Sequence, residues 1–172
     1  MYIKSFDELT FQDNFIFQKV MLKKHICKAV LERLLDISIK DIVYIHEEKN
    51  LDVRWDTKSV RLDVFVNDDK GTVFNIEMQT SKDMEELVKR TRFYQSILDM
   101  YHIQKGQKYT TLNDSYVIFI CTFSVFTGNR HKYTFRNLCI EEHDIALNDG
   151  ATKLFLSTKG TQNDVSKPLQ AF

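Results

Sequence analysis

The feature that most constrains the fold is a pair of alternating segments, VRLDVFV (60–66) and TVFNIEMQ (72–79), joined by a short turn. In both segments apolar residues alternate with other residues at a period of two, which is the pattern of a β-strand with two different faces. The turn is DDKG (68–71), and Gly71 suits the left-handed position that closes a three-residue hairpin loop. The sequence therefore predicts an antiparallel hairpin.

The register of this hairpin follows from its loop. If residues 69–71 form the loop, residues 68 and 72 pair, and Asp63 lies directly opposite Glu77 on the same face. The other pairs on that face are Arg61 with Gln79 and Phe65 with Asn75. The opposite face is uniformly apolar, with Val60, Leu62, Val64, Val66, Phe74, Ile76 and Met78. Two facing carboxylates repel each other, which a fold tolerates when a cation lies between them, and carboxylate oxygens suit Mg²⁺ or Mn²⁺.

The carboxylate pair has other interpretations. It could act as an acid/base dyad, although nothing nearby is built to bind a sugar. It could also lie on an exposed face, with Arg61 as a neutralising neighbour. A slip of the register by one residue would remove the pairing of Asp63 with Glu77 altogether.

The remaining patterns complete an α/β fold. Residues 14–36 have the apolar spacing of one long helix, with Asp13 placed to cap it. Residues 83–105 predict a second helix, with Ser81 as its cap and Gly106 as its stop. Further strands are predicted at 41–47, at the continuous apolar run 116–123, and near 133–138 and 154–156. This order predicts a mixed β-sheet flanked by α-helices on both faces.

Composition limits the class of protein. The chain has 172 residues, 43% of them hydrophobic, so it has enough apolar mass for the core of one domain. No apolar run approaches the length of a membrane span and no secretory segment is evident, so we expect no membrane association and a cytoplasmic location. The three cysteines are far apart and are expected to be free thiols: Cys27, Cys121 and Cys139. The formal net charge of zero argues against a strong nonspecific nucleic-acid coat but leaves room for a local basic face.

Three segments carry a family resemblance. VRLDVFVNDDKGTVFNIEMQT, KRTRFYQSILD and GQKYTTLNDSYVIFICTF resemble the PD-(D/E)XK nuclease superfamily, and more closely its branch of recombination-promoting nucleases and transposases. The opening LTFQDNFIFQKVM is similar to the N-terminal motif of that branch. The resemblance spans most of residues 9–160, and it implies a restriction-endonuclease-like core with the active site on the second and third strands.

The resemblance implies roles for the hairpin residues. Asp63 matches the motif aspartate and Glu77 the motif acid, so both would ligate Mg²⁺ or Mn²⁺, with the Met78 carbonyl as a third ligand. Gln79 stands where the superfamily usually has lysine, and it would position the attacking water. Glutamine can form hydrogen bonds but supplies no charge, so the rate and the metal preference are open.

The next helix matches the branch's R-x-R-x-Y-Q segment with Arg90, Arg92, Tyr94 and Gln95. These residues and Arg61 are candidates for binding DNA or supporting the metal ligands. Arg90 and Arg92 could instead be ordinary solvated charges, and Tyr94 could have a half-buried packing role. Asp13 is a further candidate, either as an additional acid near the metal or as a helix cap.

Together these features predict a divalent-metal-dependent endodeoxyribonuclease of low sequence specificity, linked to mobile-element or recombination DNA processing. A homodimer is plausible, because many restriction-like enzymes pair two sites to cut both strands. The alternative is a weak or inactive nuclease-fold module that binds DNA or a protein partner. Residues 1–160 form the expected nuclease-like domain and residues 161–172 a polar exit segment. The helical C-terminal region of the family is expected to be missing from this chain.

Overall fold

The computed structural model of the chain describes residues 5–51 and 60–170. Its helices are α1 (Asn14–Met21), α2 (Lys24–Leu35), α3 (Met84–His102) and the single turn α4 (Lys167–Gln170). Its strands are β1 (Ile42–Leu51), β2 (Val60–Asp68), β3 (Val73–Gln79), β4 (Ser115–Cys121), β5 (Lys132–Phe135) and β6 (Ala151–Ser157). Two short 3-10 turns lie at Phe6–Glu8 and Tyr109–Thr111.

The strands form one mixed sheet in the order β1-β2-β3-β4-β6-β5. β1, β2 and β3 are antiparallel neighbours, β4 is parallel to both β3 and β6, and β5 is antiparallel to β6. In the hairpin, Val64 pairs with Ile76 and Phe65 with Asn75, so the predicted register is confirmed for residues 64–67. The predicted pairs Asp63–Glu77 and Arg61–Gln79 lie beyond the last Cα pair of the two strands. Gly71 has a φ of 82°, as a loop-closing glycine should.

Each face of the sheet is covered by helices. α1 and α2 pack on one face, where Phe17, Leu31 and Val64 belong to one buried apolar cluster. α3 packs on the other face, where Leu98 and Phe119 belong to a second cluster. Residues 117–121 of β4 are fully buried between the two clusters, which confirms the prediction of a strand buried on both faces.

The alternation of β2 is interrupted at Leu62. Leu62 was predicted to share a face with Val64 and Val66, but it packs in the cluster on the α3 side. The change of face coincides with the end of the Cα pairing of β2 with β3 at Val64–Ile76, whereas the pairing of β2 with β1 continues to Val60.

The long first helix is a pair of shorter helices. α1 ends at Met21, and Lys23 has the extended conformation that starts α2. The carbonyl of Lys23 accepts the N–H groups of Ile26 and Cys27, so a new helix starts there, and the apolar spacing alone does not mark the break. The C-cap of α2 is Asp36, in the left-handed conformation.

The ends of α3 also differ from those predicted. Its N-cap is Asp83, whose carboxylate accepts the N–H of Glu86, and not Ser81. The helix ends at His102, before Gly106. The three cysteines are free thiols as predicted, with Cys27 and Cys121 buried and Cys139 partly exposed.

In the described part of the chain, no helix has the length and apolar character that crossing a membrane requires.

Candidate active site

Asp63 and Glu77 interlock across the end of the hairpin. The N–H of Asp63 donates to Glu77 Oε1 at 3.1 Å, and the N–H of Met78 donates to Asp63 Oδ2 at 3.2 Å. Each carboxylate therefore accepts a backbone N–H of the opposite strand, beyond the last Cα pair of the two strands. Asp63 is 7% exposed and Glu77 2% exposed, so both acids are held in a largely dry site.

The electrostatic consequence of this burial is that the pKa of each acid is raised. Burial, reinforced by the charge of Asp63, raises the pKa of Glu77 to about 8. Burial also raises the pKa of Asp63, although hydrogen bonds from Asn14 and from the Met78 N–H act to lower it. Both charges are stable together only with a proton or a cation between or beside them.

Arg90 on α3 provides one such cation. Its Nη2 lies 3.3 Å from Glu77 Oε2, and its Nη1 donates to Gln79 Oε1 at 3.2 Å. Nη2 also donates to the Tyr94 hydroxyl at 2.7 Å. The guanidinium carbon lies 5.3 Å from the centroid of the Phe119 ring, which is level with Glu77 on the neighbouring strand. The site thus joins the ends of β2 and β3 to the first half of α3.

Asn14, the first residue of α1, is the site residue that sequence reasoning missed. Its Nδ2 donates to Asp63 Oδ1 at 3.3 Å. Asn14 directly follows the predicted candidate Asp13 in the N-terminal motif LTFQDNFIFQKVM, and that motif was the available signal. The Asp13 carboxylate accepts from the N–H and hydroxyl of Thr10, at 2.7 and 3.1 Å. Asp13 lines a groove of about 450 Å³ together with Asn14 and Gln79.

Of the other predicted site residues, some contact the cluster around Asp63 and Glu77 and others do not. Arg61 is exposed, and its charge is among those that lower the pKa of Asp63. Arg92 is exposed on α3 and makes no ion pair with either carboxylate within residues 5–51 and 60–170. Tyr94 is buried, its ring stacks with Phe119, and its hydroxyl accepts from Arg90. Gln95 is not brought to this cluster, because its amide donates to the hydroxyl of Ser115, the first residue of β4.

The donor set fits a hard divalent cation. In the contacts of the structure each carboxylate oxygen of Asp63 and Glu77 accepts one hydrogen bond, which leaves a second lone pair on each oxygen. Within residues 5–51 and 60–170, no group of three or more His, Cys, Asp or Glu side chains is placed to hold a metal. A cation here would therefore have two carboxylates and complete its shell with backbone oxygen and water, an arrangement typical of Mg²⁺.

The fold and the site together define a class. A six-stranded mixed sheet with helices on both faces, and two interlocked acids on adjacent strands, is consistent with an α/β restriction-endonuclease-like fold. A family model described as PD-(D/E)XK nuclease family transposase matches residues 13–163 of the 172-residue chain. The chain belongs to this family, which indicates a nuclease-like role. Searches of curated proteins and of solved structures found no significant match.

Proposed function

We propose that this protein is a divalent-metal-dependent DNA endonuclease of low sequence specificity that acts in mobile-element or recombination DNA processing. The observation that carries the proposal is the interlocked, buried pair of Asp63 and Glu77 beneath the guanidinium of Arg90. A buried pair of acids is costly for folding, and such a cost is typical of functional sites.

Asp63 and Glu77 would hold Mg²⁺ or Mn²⁺, with the Met78 carbonyl as a further ligand. When bound, the ion lowers the pKa of a coordinated water and polarises a phosphoryl oxygen. The amide of Asn14 holds the Asp63 carboxylate in place from the side of α1. These contacts orient the ligands before the ion binds, which favours a defined geometry.

Gln79 and Arg90 together replace the lysine of most of the superfamily, with Gln79 supplying a hydrogen-bond donor and Arg90 the positive charge. Gln79 is neutral, and its oxygen already accepts from Arg90, so its NH₂ group is the part that can donate to a water or a phosphate oxygen. Arg90 supplies the positive charge, 25% exposed and therefore accessible to a phosphodiester. Its planar guanidinium suits the charge that develops on phosphate oxygens during hydrolysis.

Cleavage of supercoiled plasmid tests the proposal. Wild type is incubated with Mg²⁺, Mn²⁺ or EDTA and compared with Asp63→Asn, which keeps the size of the side chain but removes the charge. Asp144→Asn is the matched control, because Asp144 is exposed in the loop between β5 and β6. We expect metal-dependent nicking that Asp63→Asn abolishes and Asp144→Asn retains. Nicking that persists in EDTA, or equally in Asp63→Asn, would contradict the assignment.

A second function is favoured by one observation. Arg90 lies against Glu77 and compensates part of the charge of the site from within the chain, so the fold can persist without a metal. A nuclease-fold module that binds DNA or a protein partner but no longer cuts would have this property. Calorimetric titration with Mn²⁺ separates the two, since a catalytic site binds the ion in wild type and loses it in Asp63→Asn, whereas a pure binding module shows no such site.

A further inference from the structure

An unassigned groove lies on α3 beside the candidate active site. It has a volume of about 380 Å³ and is lined by Glu86, Lys89, Arg90, Arg92, Phe93 and Ser96. Phe93 is 40% exposed, and its ring contacts no other aromatic ring of the described residues. By contrast, the rings of Phe65, Phe119 and Phe155 each pack against other rings in the core. Phe93 thus presents an exposed ring beside the cationic side chains that line the groove.

Arg90 connects this groove to the carboxylates. It lines the groove, while its guanidinium also bonds Glu77 and Gln79. A phosphate that reached Arg90 would therefore place the adjoining nucleotide within the groove, near Phe93.

The charge of the groove favours an anion. Three of its lining residues are cationic and one, Glu86, is acidic. Lys89 is paired with Glu85 at 2.9 Å, outside the groove. Arg92 is exposed and has no ion-pair partner among residues 5–51 and 60–170. An aromatic ring beside unpaired positive charge is the combination with which proteins bind single-stranded nucleic acid, because bases stack on the ring and phosphates meet the cations.

We propose that this groove binds an unpaired nucleotide next to the scissile phosphate, with the base stacked on Phe93 and the following phosphate at Arg92. The preferred substrate class is then single-stranded DNA, or the frayed end of a duplex. In an intact duplex each base is already stacked on its neighbours, so Phe93 adds little to binding. The inference rests on the proposed nuclease function only for the position of the scissile phosphate.

Binding of a labelled oligothymidine and of a hairpin duplex, measured by fluorescence anisotropy in EDTA, tests the groove without cleavage. We expect Phe93→Ala to weaken single-strand binding on the order of tenfold and to change duplex binding little. Phe93→Trp should retain single-strand binding, since a larger ring also stacks. Tyr109→Ala is the control: Tyr109 is aromatic and 83% exposed, and it precedes β4, at the end of the sheet opposite Gln79.

The outcomes separate this inference from the nuclease proposal. If Phe93→Ala loses single-strand affinity while wild type cuts no plasmid in any metal, the groove is supported and the nuclease assignment fails. If wild type nicks plasmid but Phe93→Ala and Tyr109→Ala bind the oligonucleotide as wild type does, the groove proposal is overturned. It is also overturned if Phe93→Ala weakens both DNA forms equally, or if it only converts a dimer to a monomer in light scattering.

Discussion

At the scale of single residues, the main result is where the positive charge of the site comes from. Gln79 follows the two acids in the strand motif but carries no charge, whereas Arg90 reaches the same place from α3. Because the Arg90 guanidinium lies at hydrogen-bond distance from the Gln79 side chain, an ammonium group at position 79 would be repelled by it. A neutral Gln79 on β3 is therefore compatible with the positive charge of Arg90 on α3, whereas a lysine at position 79 is not.

This pairing predicts the outcome of restoring lysine. Gln79→Lys places an ammonium against Arg90, so we expect cleavage to fall at least about tenfold rather than to rise. Arg90→Gln alone should lower cleavage roughly a hundredfold, since one charge-stabilising group is lost. The double variant Gln79→Lys with Arg90→Gln should recover part of the loss, and the cycle of four rates measures the coupling.

The same cycle can refute the argument. If Gln79→Lys is faster than wild type, or if the double variant shows the sum of the two single losses, Arg90 does not replace the lysine. Thermal unfolding of all four proteins is the control, because a lost fold would lower every rate for a different reason.

The buried acids also predict how stability depends on pH. Folded Glu77 keeps its proton up to about pH 8, whereas the unfolded chain loses it near the ordinary value of 4.5. Between these values the unfolded state binds fewer protons, so the free energy of unfolding falls as the pH rises. Asp63, whose pKa is also raised, acts in the same direction.

Urea unfolding in EDTA at about pH 5 and about pH 8 checks this prediction. We expect a lower midpoint at the higher pH for wild type, and a smaller difference for Glu77→Gln, which is neutral throughout. A wild-type midpoint that rises with pH, or an equal difference in the variant, would show that Glu77 ionises normally in the folded chain.

At the scale of elements, the break between α1 and α2 decides how the first helix serves the site. Because α1 is separate from α2, the two helices can pack against the sheet in different directions. α1 begins at Asn14, whose side chain donates a hydrogen bond to Asp63. The C-terminal cap of α2, Asp36, is an unfavourable residue for its position. Asp36 is a non-glycine residue with a φ of 55°, and it places a negative charge where the helix dipole favours a positive one.

We therefore predict that Asp36→Gly stabilises the protein by about 1 kcal/mol, through relief of the left-handed conformation and removal of the charge. Asp36→Asn removes only the charge and should give the smaller gain. Urea unfolding at neutral pH measures both. If Asp36→Gly is no more stable than Asp36→Asn, the backbone conformation at this cap is not a cost.

At the scale of the whole molecule, the C-terminal segment is tied to the far edge of the sheet. The Asp164 carboxylate accepts from the backbone N–H of His131 at 3.2 Å, and its Oδ1 lies 2.9 Å from His131 Nδ1. Five residues further on, Leu169 is buried in the cluster on the α1 and α2 side. The same cluster includes Met78, so the C-terminal segment and the hairpin contribute to one core.

We expect Asp164→Ala to lower the free energy of unfolding by about 1–3 kcal/mol, because the buried donors of His131 lose their acceptor. Asp164→Asn keeps one acceptor oxygen and should cost less. The plasmid-nicking rate of folded Asp164→Ala should remain near that of wild type, since Asp164 contacts neither acid. An Asp164→Ala protein as stable as wild type would show that the segment is held by Leu169 alone.

The hairpin and the proximity of its two acids were predictable from local sequence patterns. Loop length and two-residue alternation are local properties, and together they set the pairing of residues 64–67 with residues 73–76. The family motif then pointed to Asp63, Glu77 and Gln79. The buried strand β4 was equally readable, because its continuous apolar run has no polar face to offer to solvent.

Which residues from outside the hairpin reach those acids depends on how the helices pack against the sheet, and local patterns do not predict it. Asn14 lies 49 positions before Asp63, and no local pattern links the two. Arg90 and Gln95 stand in one motif on one helix, yet the packing of α3 directs Arg90 to Glu77 and Gln95 to Ser115. The physical reason is that helical periodicity defines faces, but the contacts of each face depend on how the helix lies on the sheet.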